Sequence, residues 1–139
     1  MTVESFFVAG SPITQGSAMA RVRKDGSPFV VQVNRSNLMD WRSAIGSAAQ
    51  GLTFREGPCD VHLMFRLARP KSRPKKDVHP DRRPDLDKLT RAALDALTGV
   101  AYKDDSQVVA LHVYKAYAIG QTGVQVSICD PGEPVDWVP

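Results

Sequence analysis

The chain has 139 residues, of which 42% are hydrophobic, so it has room for one domain with a buried core. Charged residues make up 24%, and no apolar run approaches the roughly 18 residues that cross a bilayer, which excludes an integral membrane protein. The formal net charge is only +3 and says little about partners. We expect a soluble, intracellular protein, because the N-terminus has no basic segment ahead of an apolar stretch.

The first part of the chain predicts a strand and a hairpin. Residues Val3 to Ala9 are apolar and β-prone and end at a Gly-Ser-Pro turn. Residues 18 to 33 form a second β-prone region around Asp25-Gly26, a dipeptide typical of hairpin turns.

A helix and a further strand follow. Ser36 or Asn37 can cap a helix that ends near Gly51. Its apolar residues fall on one stripe: Leu38, Trp41, Ile45, Ala48 and Leu52. Residues Asp60 to Leu67 alternate strictly between two sets of side chains, which predicts a strand with one buried face.

Residues 69 to 83 predict a long loop that carries most of the positive charge. They have no periodicity and contain three prolines, and loops of this length are usually functional or disordered. Between Arg66 and Arg91, ten basic and four acidic residues leave a surplus of six positive charges, whereas the rest of the chain carries a net charge of −3. This distribution favours nucleic acid as a partner over the simpler alternative of a solvated charged surface.

The remaining chain predicts a second helix and two strands. The apolar stripe from Leu86 stops at Thr98-Gly99, so a helix is predicted from about Leu86 to Thr98. Strands are predicted at Val108 to Tyr117 and at Gly123 to Cys129, joined as a hairpin at Gly120-Gln121.

This order of elements predicts an α+β fold in a single domain. Two main helices would pack on one face of a mixed sheet of about five to six strands. We assign the domain to residues 1–130 and a flexible tail to residues 131–139, which contain three prolines.

Two acidic pairs flank the second helix. Asp85 and Asp87 stand at its start, and Asp104 and Asp105 follow its end. Carboxylates at positions i and i+2 point the same way only in extended backbone, so Asp85 is predicted to precede the helix. If the fold returns the second pair to the first, the converging carboxylates require a divalent cation, and Mg²⁺ fits best. In the simpler alternative, Asp85 caps the helix, Asp87 favours its dipole and neither binds an ion.

One face of the second helix carries Asp87, Arg91 and Asp95 at i, i+4 and i+8. Two roles stay open for Arg91: a surface ion pair with these aspartates, or stabilisation of charge on a scissile phosphate, with Lys88 as a nearby alternative. A structural role is predicted for Asp95.

The histidines and cysteines are assigned no catalytic role. His62 and His112 fall on strand faces and are read as surface or packing residues rather than ligands. Cys59 and Cys129 by themselves supply neither a zinc site nor a disulfide framework, and we read both as buried or idle thiols. No His or Cys cluster is evident as a competing metal site.

The run from Arg83 to Val108 is similar to a known family. It opens a helix with Asp-Leu-Asp, carries Asp-Ala-Leu near the end of that helix, and finishes with Asp-Asp-Ser-Gln-Val. Together with the opening at Gly10 to Ser17, it resembles the RusA family of Holliday junction resolvases. The resemblance implies a RusA-like homodimer that acts on branched DNA in the bacterial cytoplasm, encoded by a bacterium or a phage. It also implies a Mg²⁺-dependent endonuclease, with Mn²⁺ as a substitute, that resolves four-way junctions by paired phosphodiester hydrolysis.

Carried over by position, the resemblance implies that Asp85, Asp87 and Asp105 are the catalytic, metal-binding carboxylates, with Asp104 as the adjacent candidate. Family members often have a catalytic lysine four residues after the second aspartate. That position is Arg91 here, and Lys88 is the alternative.

Seven cations of the loop are predicted to hold DNA phosphates: Arg69, Lys71, Arg73, Lys75, Lys76, Arg82 and Arg83. An alternative from a different class is a non-catalytic nucleic-acid-binding module with a basic loop, in which the aspartates only cap a helix and pair with arginines. A nucleotide-sugar transferase, which also uses Asp-x-Asp, is disfavoured because the chain is short for that fold.

Overall fold

The computed structural model describes residues 3–16, 18–32 and 35–136. Its helices and strands are β1 (Glu4–Ala9), β2 (Ala18–Val22), β3 (Pro28–Gln32), α1 (Arg35–Ala49), β4 (Cys59–Leu67), α2 (Leu86–Leu97), β5 (Val108–Tyr117) and β6 (Gly123–Cys129). A 3₁₀ turn, Asp105–Gln107, leads into β5. The predicted α+β class with two main helices is confirmed. The end of the predicted hairpin at Val33, residue Ser17 and the last three tail residues lie outside the described ranges.

The strands form two sheets rather than one. β1, β6, β4 and β5 make a four-stranded sheet in that spatial order, and β2 pairs with β3 in a separate two-stranded sheet. β4 pairs in parallel with β5 and antiparallel with β6, so the main sheet is mixed, as predicted. The predicted hairpin of β5 and β6 is wrong, because β4 lies between them. The turn residues after β5 allow the chain to reverse, but burial of the apolar β4 at the centre decides which strands pair.

β4 is buried on both faces, so the prediction of one exposed face is wrong. Val61 and Phe65 are wholly buried in the core below the helices. On the other face Asp60 is 4% exposed and His62 is 7% exposed. The segment that follows β6 helps to cover this face, because the Gly132 amide donates a hydrogen bond to Asp60 Oδ2 at 2.8 Å. The alternation in the sequence therefore identifies the polar face of β4, but it does not predict that other parts of the chain bury this face.

Both helices contribute to the core on one face of the four-stranded sheet. α1 supplies Trp41 and Ile45, and α2 supplies Leu89 and Leu97. Small residues let the helices approach closely: a β-carbon built on Gly46 of α1 would lie 3.3 Å from the backbone oxygen of Ala96 in α2. The polar side chains of α2 therefore project from a helix that is packed into the core.

The ends of the two helices differ in how well they follow the sequence signals. α1 begins at Arg35, so Ser36 and Asn37 lie within its first turn and the predicted caps are wrong. α2 has Asp85 as its N-cap residue in extended backbone and Thr98 as its C-cap residue, as the sequence predicts. Within residues 3–16, 18–32 and 35–136, no helix is long and apolar enough to cross a membrane.

A buried turn returns the chain from α2 to the sheet. Tyr102 is wholly buried and its hydroxyl donates a 2.8 Å hydrogen bond to the carbonyl oxygen of Leu94. Gly99, at φ 83°, donates its amide to the Tyr102 carbonyl at 2.7 Å. The Gln107 side-chain amide donates to two backbone carbonyls of the segment before β4. These bonds fix the position of Asp105 relative to α2.

We predict that Gly123→Ala destabilises the fold by about 2 kcal/mol, measured by urea unfolding. Gly123 has φ 155°, and a β-carbon there would lie 2.1 Å from the Val8 carbonyl oxygen, so β1 would have to move away from β6. Gly120→Ala is the control, because a β-carbon at Gly120 meets nothing within 4 Å. Equal losses for the two variants would contradict this account of the β1–β6 contact.

Candidate active site

A cavity of about 620 Å³ lies along one face of α2 and reaches the sheet at β5. Its charged groups are three carboxylates and one guanidinium, and the Thr90 hydroxyl and apolar side chains complete the lining. The lining residues are Leu86, Asp87, Thr90, Arg91, Leu94, Asp95, Asp105, Leu111 and Val113. The α2 residues in this set recur every three to four positions, so a single helix face forms the wall.

Four of the residues singled out in the sequence line this cavity: Asp87, Arg91, Asp95 and Asp105. Asp87 lies in the first turn of α2, Arg91 one turn later, and Asp105 at the start of the 3₁₀ turn. Asp95 lies a further turn along α2, so the helix wall between Asp87 and Asp95 is about 12 Å long. The buried return turn therefore brings one member of the second acidic pair back beside the helix.

Asp85 lies beside the cavity and is not among its lining residues. Its backbone carbonyl accepts a hydrogen bond from the Leu89 amide, but its carboxylate makes no capping bond to the helix. The carboxylate is 51% exposed and lies 3.6 Å from the Lys88 ammonium. Asp85 thus supplies a solvent-facing carboxylate at the N-terminal end of α2, and Lys88 neutralises part of its charge.

A lysine of the sheet fixes the backbone just before Asp85. Lys115 on β5 donates from Nζ to the carbonyl oxygens of Arg82 at 2.8 Å and Pro84 at 2.9 Å. Because Pro84 directly precedes Asp85, this contact holds the end of the basic loop against the same strand that lines the cavity.

The adjacent aspartates Asp104 and Asp105 have different surroundings. Asp104 Oδ1 accepts a 3.0 Å hydrogen bond from the Ser106 amide, and Gln107 completes a capping box at the 3₁₀ turn. The bond from Ser106 holds the pKa of Asp104 below its ordinary value. For the exposed Asp105, slight desolvation, then its contact with Asp104, and then the charge of Asp95 raise the pKa. Asp104 is therefore used in capping, and Asp105 is the member of the pair that faces the cavity.

Sequence reasoning missed a polar network that holds Asp95. Gln15 donates a hydrogen bond from Nε2 to Asp95 Oδ2, and its Oε1 accepts one from Arg42 Nη1 at 3.3 Å. The backbone amide of Gln15 also donates a hydrogen bond to the backbone carbonyl of Lys88 in α2, at 3.0 Å. The shared helix face of Asp87, Arg91 and Asp95 was the signal that could have placed Asp95 in the cavity, but nothing local in the sequence marks Gln15 as its partner.

The segment before β2 also bounds Arg91. A β-carbon built on Gly16 would lie 2.7 Å from Arg91 Nη1, so the guanidinium packs closely over the Gly16 backbone, which has φ 92°. Gln15 and Gly16 therefore lie against α2 beside the candidate side chains Arg91 and Asp95. This contact restricts where the exposed Arg91 can reach.

Two of the seven cations predicted to bind phosphate hold the loop itself. Arg69 donates to the carbonyl oxygens of Pro74 and Asp77 and stacks over the Tyr117 ring, 4.4 Å from its centroid. Arg73 pairs with Asp77 at 3.3 Å and with Asp81 at 2.9 Å. The other five are exposed: Lys71, Lys75, Lys76, Arg82 and Arg83.

The donor types of the cavity suit a hard divalent cation, although within the described part of the chain its three carboxylates do not have oxygens within 4.8 Å of one another. Asp87, Asp95 and Asp105 supply carboxylate oxygens, and Arg91 is the single cation among the lining residues. Mg²⁺ takes oxygen ligands at one or two carboxylates and completes its shell with water and phosphate. A divalent ion would also relieve the repulsion that contributes to the raised pKa of Asp105.

Comparison with known proteins adds two findings. Residues 10–129 match the family model described as "Endodeoxyribonuclease RusA". The chain is also similar to "Uncharacterized protein YqaN" of Bacillus subtilis (strain 168), with 28% identity over 123 residues that span 81% of this chain and 87% of that protein. The family match covers both acidic pairs and the basic loop.

We predict opposite effects on stability for Asp104→Ala and Asp105→Ala, measured as melting temperatures at pH 7 without added metal. Asp104→Ala removes a cap and lowers the free energy of unfolding by about 1 kcal/mol. Asp105→Ala removes a charge that the fold disfavours and raises the melting temperature by about 1–2 °C.

The pH dependence separates the two effects. The folded pKa of Asp105 lies above its unfolded value, so its penalty exists at pH 7 and disappears as the pH falls below the unfolded pKa. The folded pKa of Asp104 is depressed, so its stabilisation is lost as the pH falls through that folded value. A melting temperature that falls equally in both variants at pH 7 would contradict the different roles given to the two carboxylates.

Proposed function

The chain belongs to the RusA endodeoxyribonuclease family, and on that basis we propose that it is a Mg²⁺-dependent endonuclease that resolves four-way DNA junctions by paired phosphodiester hydrolysis. The observation that carries this proposal is the cavity in which Asp87 and Asp105 lie with Arg91, at the end of the exposed basic loop. Hydrolysis of a phosphodiester requires neutralisation of its charge and an activated water, and this cavity has the groups for both tasks.

In this proposal Asp87 and Asp105 hold the ion from the two walls of the cavity, and Asp85 adds a carboxylate at its edge. Asp104 secures the turn that presents Asp105. A divalent ion held by these carboxylates would lower the pKa of a water and polarise the phosphoryl group.

Arg91 is proposed to contact the scissile phosphate. Its guanidinium lies one helical turn from Asp87, and guanidinium donors match phosphate oxygens in pairs. The close packing over Gly16 limits its rotamers, which lowers the entropy lost when it binds a phosphate. Lys88 is the less suitable candidate because its ammonium is already paired with Asp85.

Gln15 is proposed to keep Asp95 in place beside the reacting groups. Its hydrogen bonds link α1, the segment before β2 and α2. Asp95 then supplies a fixed negative charge on the cavity wall, near Asp105, without itself needing to bind the ion.

The five exposed cations of the loop are proposed to hold the DNA backbone. Arg69 and Arg73 keep the loop folded, which holds Lys71, Lys75, Lys76, Arg82 and Arg83 at its surface. Lys115 ties the end of this loop to β5, so the DNA contacts and the cavity are fixed to one strand. Backbone contacts of this kind give affinity that falls steeply with salt.

A homodimer completes the proposal, because paired cuts in a four-way junction require two sites. A two-fold axis would present the two cavities to strands of like polarity. Branched DNA of this kind arises in the bacterial cytoplasm, where we propose that the protein acts.

We predict that Asp87→Asn and Asp105→Asn each reduce nicking of a synthetic four-way junction by about a hundredfold or more, because each variant removes a metal ligand. Both variants should bind the junction in a mobility-shift assay as tightly as the wild type, since the loop is untouched. Asp40→Asn, which changes an exposed carboxylate of α1, is the matched control and should cleave normally.

Metal-independent cutting, or full activity in either cavity variant, would contradict the proposed site. Junction binding by the wild type without nicking in Mg²⁺ or Mn²⁺ would favour the non-catalytic nucleic-acid-binding module.

We predict that replacing Lys75 and Lys76 together with alanine weakens binding to junction and duplex alike. The slope of log K against log salt concentration should become shallower by up to about two units, because two phosphate contacts are lost. Lys24→Ala, in the turn between β2 and β3, is the comparison and should leave the slope unchanged. An unchanged slope in the double variant would mean that these two lysines do not contact DNA.

A further inference from the structure

Three residues with metal-binding side chains meet on the face of the main sheet that points away from the helices. Asp60 and His62 project from β4, and Cys129 ends β6 as the cross-strand neighbour of Asp60. One ligand atom from each lies within 4.8 Å of the others, and all three residues are buried. This cluster shares no residue with the carboxylate cavity.

The surroundings of Asp60 point to a cation. Asp60 Oδ2 accepts a hydrogen bond from the Gly132 amide, whereas the buried Asp60 Oδ1 has no hydrogen-bond partner within the residues that the structure describes. A buried carboxylate oxygen without a donor is costly unless a positive charge lies against it. The thiol and the imidazole next to it are the groups that a transition metal would use with that oxygen.

The donor types select the class of ion. A set of one sulfur, one nitrogen and one oxygen is typical of Zn²⁺ and related transition metals, whereas Mg²⁺ takes oxygen ligands alone. The bond lengths to zinc place neighbouring ligand atoms about 3.5 Å apart in a tetrahedral site. Side-chain rotations that move the ligand atoms by roughly an ångström would bring the present cluster to that spacing.

We propose that Asp60, His62 and Cys129 form a second metal site that binds one Zn²⁺-class ion per chain, separate from the Mg²⁺ site of the nuclease. Metal binding replaces the thiol proton of Cys129, which passes to solvent, and leaves a fourth position for water. The sequence alone does not reveal this site. Alternation along β4 places Asp60 and His62 on one face, and only the pairing of β4 with β6 brings Cys129 beside them.

The proposed ion would join the main sheet to the segment after β6. Gly132 of that segment already donates to Asp60, and the Cys129 sulfur lies 3.9 Å from the Glu133 carbonyl oxygen. His62 stacks on His112 of the neighbouring strand β5, with ring centroids 4.4 Å apart. This contact fixes the orientation of the His62 imidazole. The ion would therefore stabilise the fold rather than take part in phosphodiester hydrolysis.

X-ray absorption at the zinc edge of the unmodified chain, loaded with one equivalent of Zn²⁺ in excess Mg²⁺, tests the proposal directly. The expected spectrum has one sulfur ligand at about 2.3 Å and nitrogen or oxygen ligands at about 2.0–2.1 Å. No sulfur ligand, or two, would overturn it, because Cys59 belongs to the helix-side core and only Cys129 joins the cluster.

Variants assign the ligands. Cobalt titration should give a thiolate-to-metal absorption band in the wild type and in Cys59→Ala, the matched control with the other buried thiol. The band should be absent from Cys129→Ala, and Zn²⁺ affinity should fall at least tenfold in Asp60→Asn and in His62→Gln. Circular dichroism checks that each variant folds.

The double variant Asp87→Asn, Asp105→Asn separates this site from the nuclease site. It should keep the cobalt band and the Zn²⁺ affinity of the wild type. Loss of the band in that variant, or its persistence in a folded Cys129→Ala, would overturn the proposal.

Discussion

The candidate active site depends on the buried turn that returns the chain from α2 to the sheet. Tyr102 occupies the core and bonds back to the last turn of α2, and Gly99 permits the left-handed backbone that this reversal needs. Asp105 follows Tyr102 by three residues, so burial of the Tyr102 side chain determines where the Asp105 carboxylate lies. Without that turn, the two acidic pairs would remain at opposite ends of a helix of 12 residues.

Local patterns predicted the elements that carry the site, and tertiary packing decided the rest. The bounds of β5, β6 and α2 follow from apolar periodicity and from turn residues, and the extended backbone of Asp85 follows from the spacing of the Asp-Leu-Asp motif. Strand order could not be predicted, because a turn that allows a hairpin does not require one. For the same reason the sequence could not show that the back face of β4 is covered, or that Gln15 reaches Asp95.

Charge in the basic loop is divided between holding the loop and facing solvent. Arg69 donates hydrogen bonds to backbone oxygens of the loop, and Arg73 forms ion pairs with its aspartates. These ion pairs explain why acidic residues are embedded in a cationic run. The main sheet separates two further chemistries. Oxygen donors lie on the helix side, where we propose the hard cation and the phosphate, and a mixed cluster with a thiol lies on the other side.

The proposed nuclease site requires that Asp87 and Asp105 share one divalent ion. Crystals of the wild-type protein soaked in Mn²⁺, a substitute for Mg²⁺ with a usable anomalous signal, would reveal the ligands without any mutation. We expect a peak in the cavity along α2 within bonding distance of both carboxylates. A cavity without a peak, or a peak held by Asp95 and Asp105 without Asp87, would contradict it.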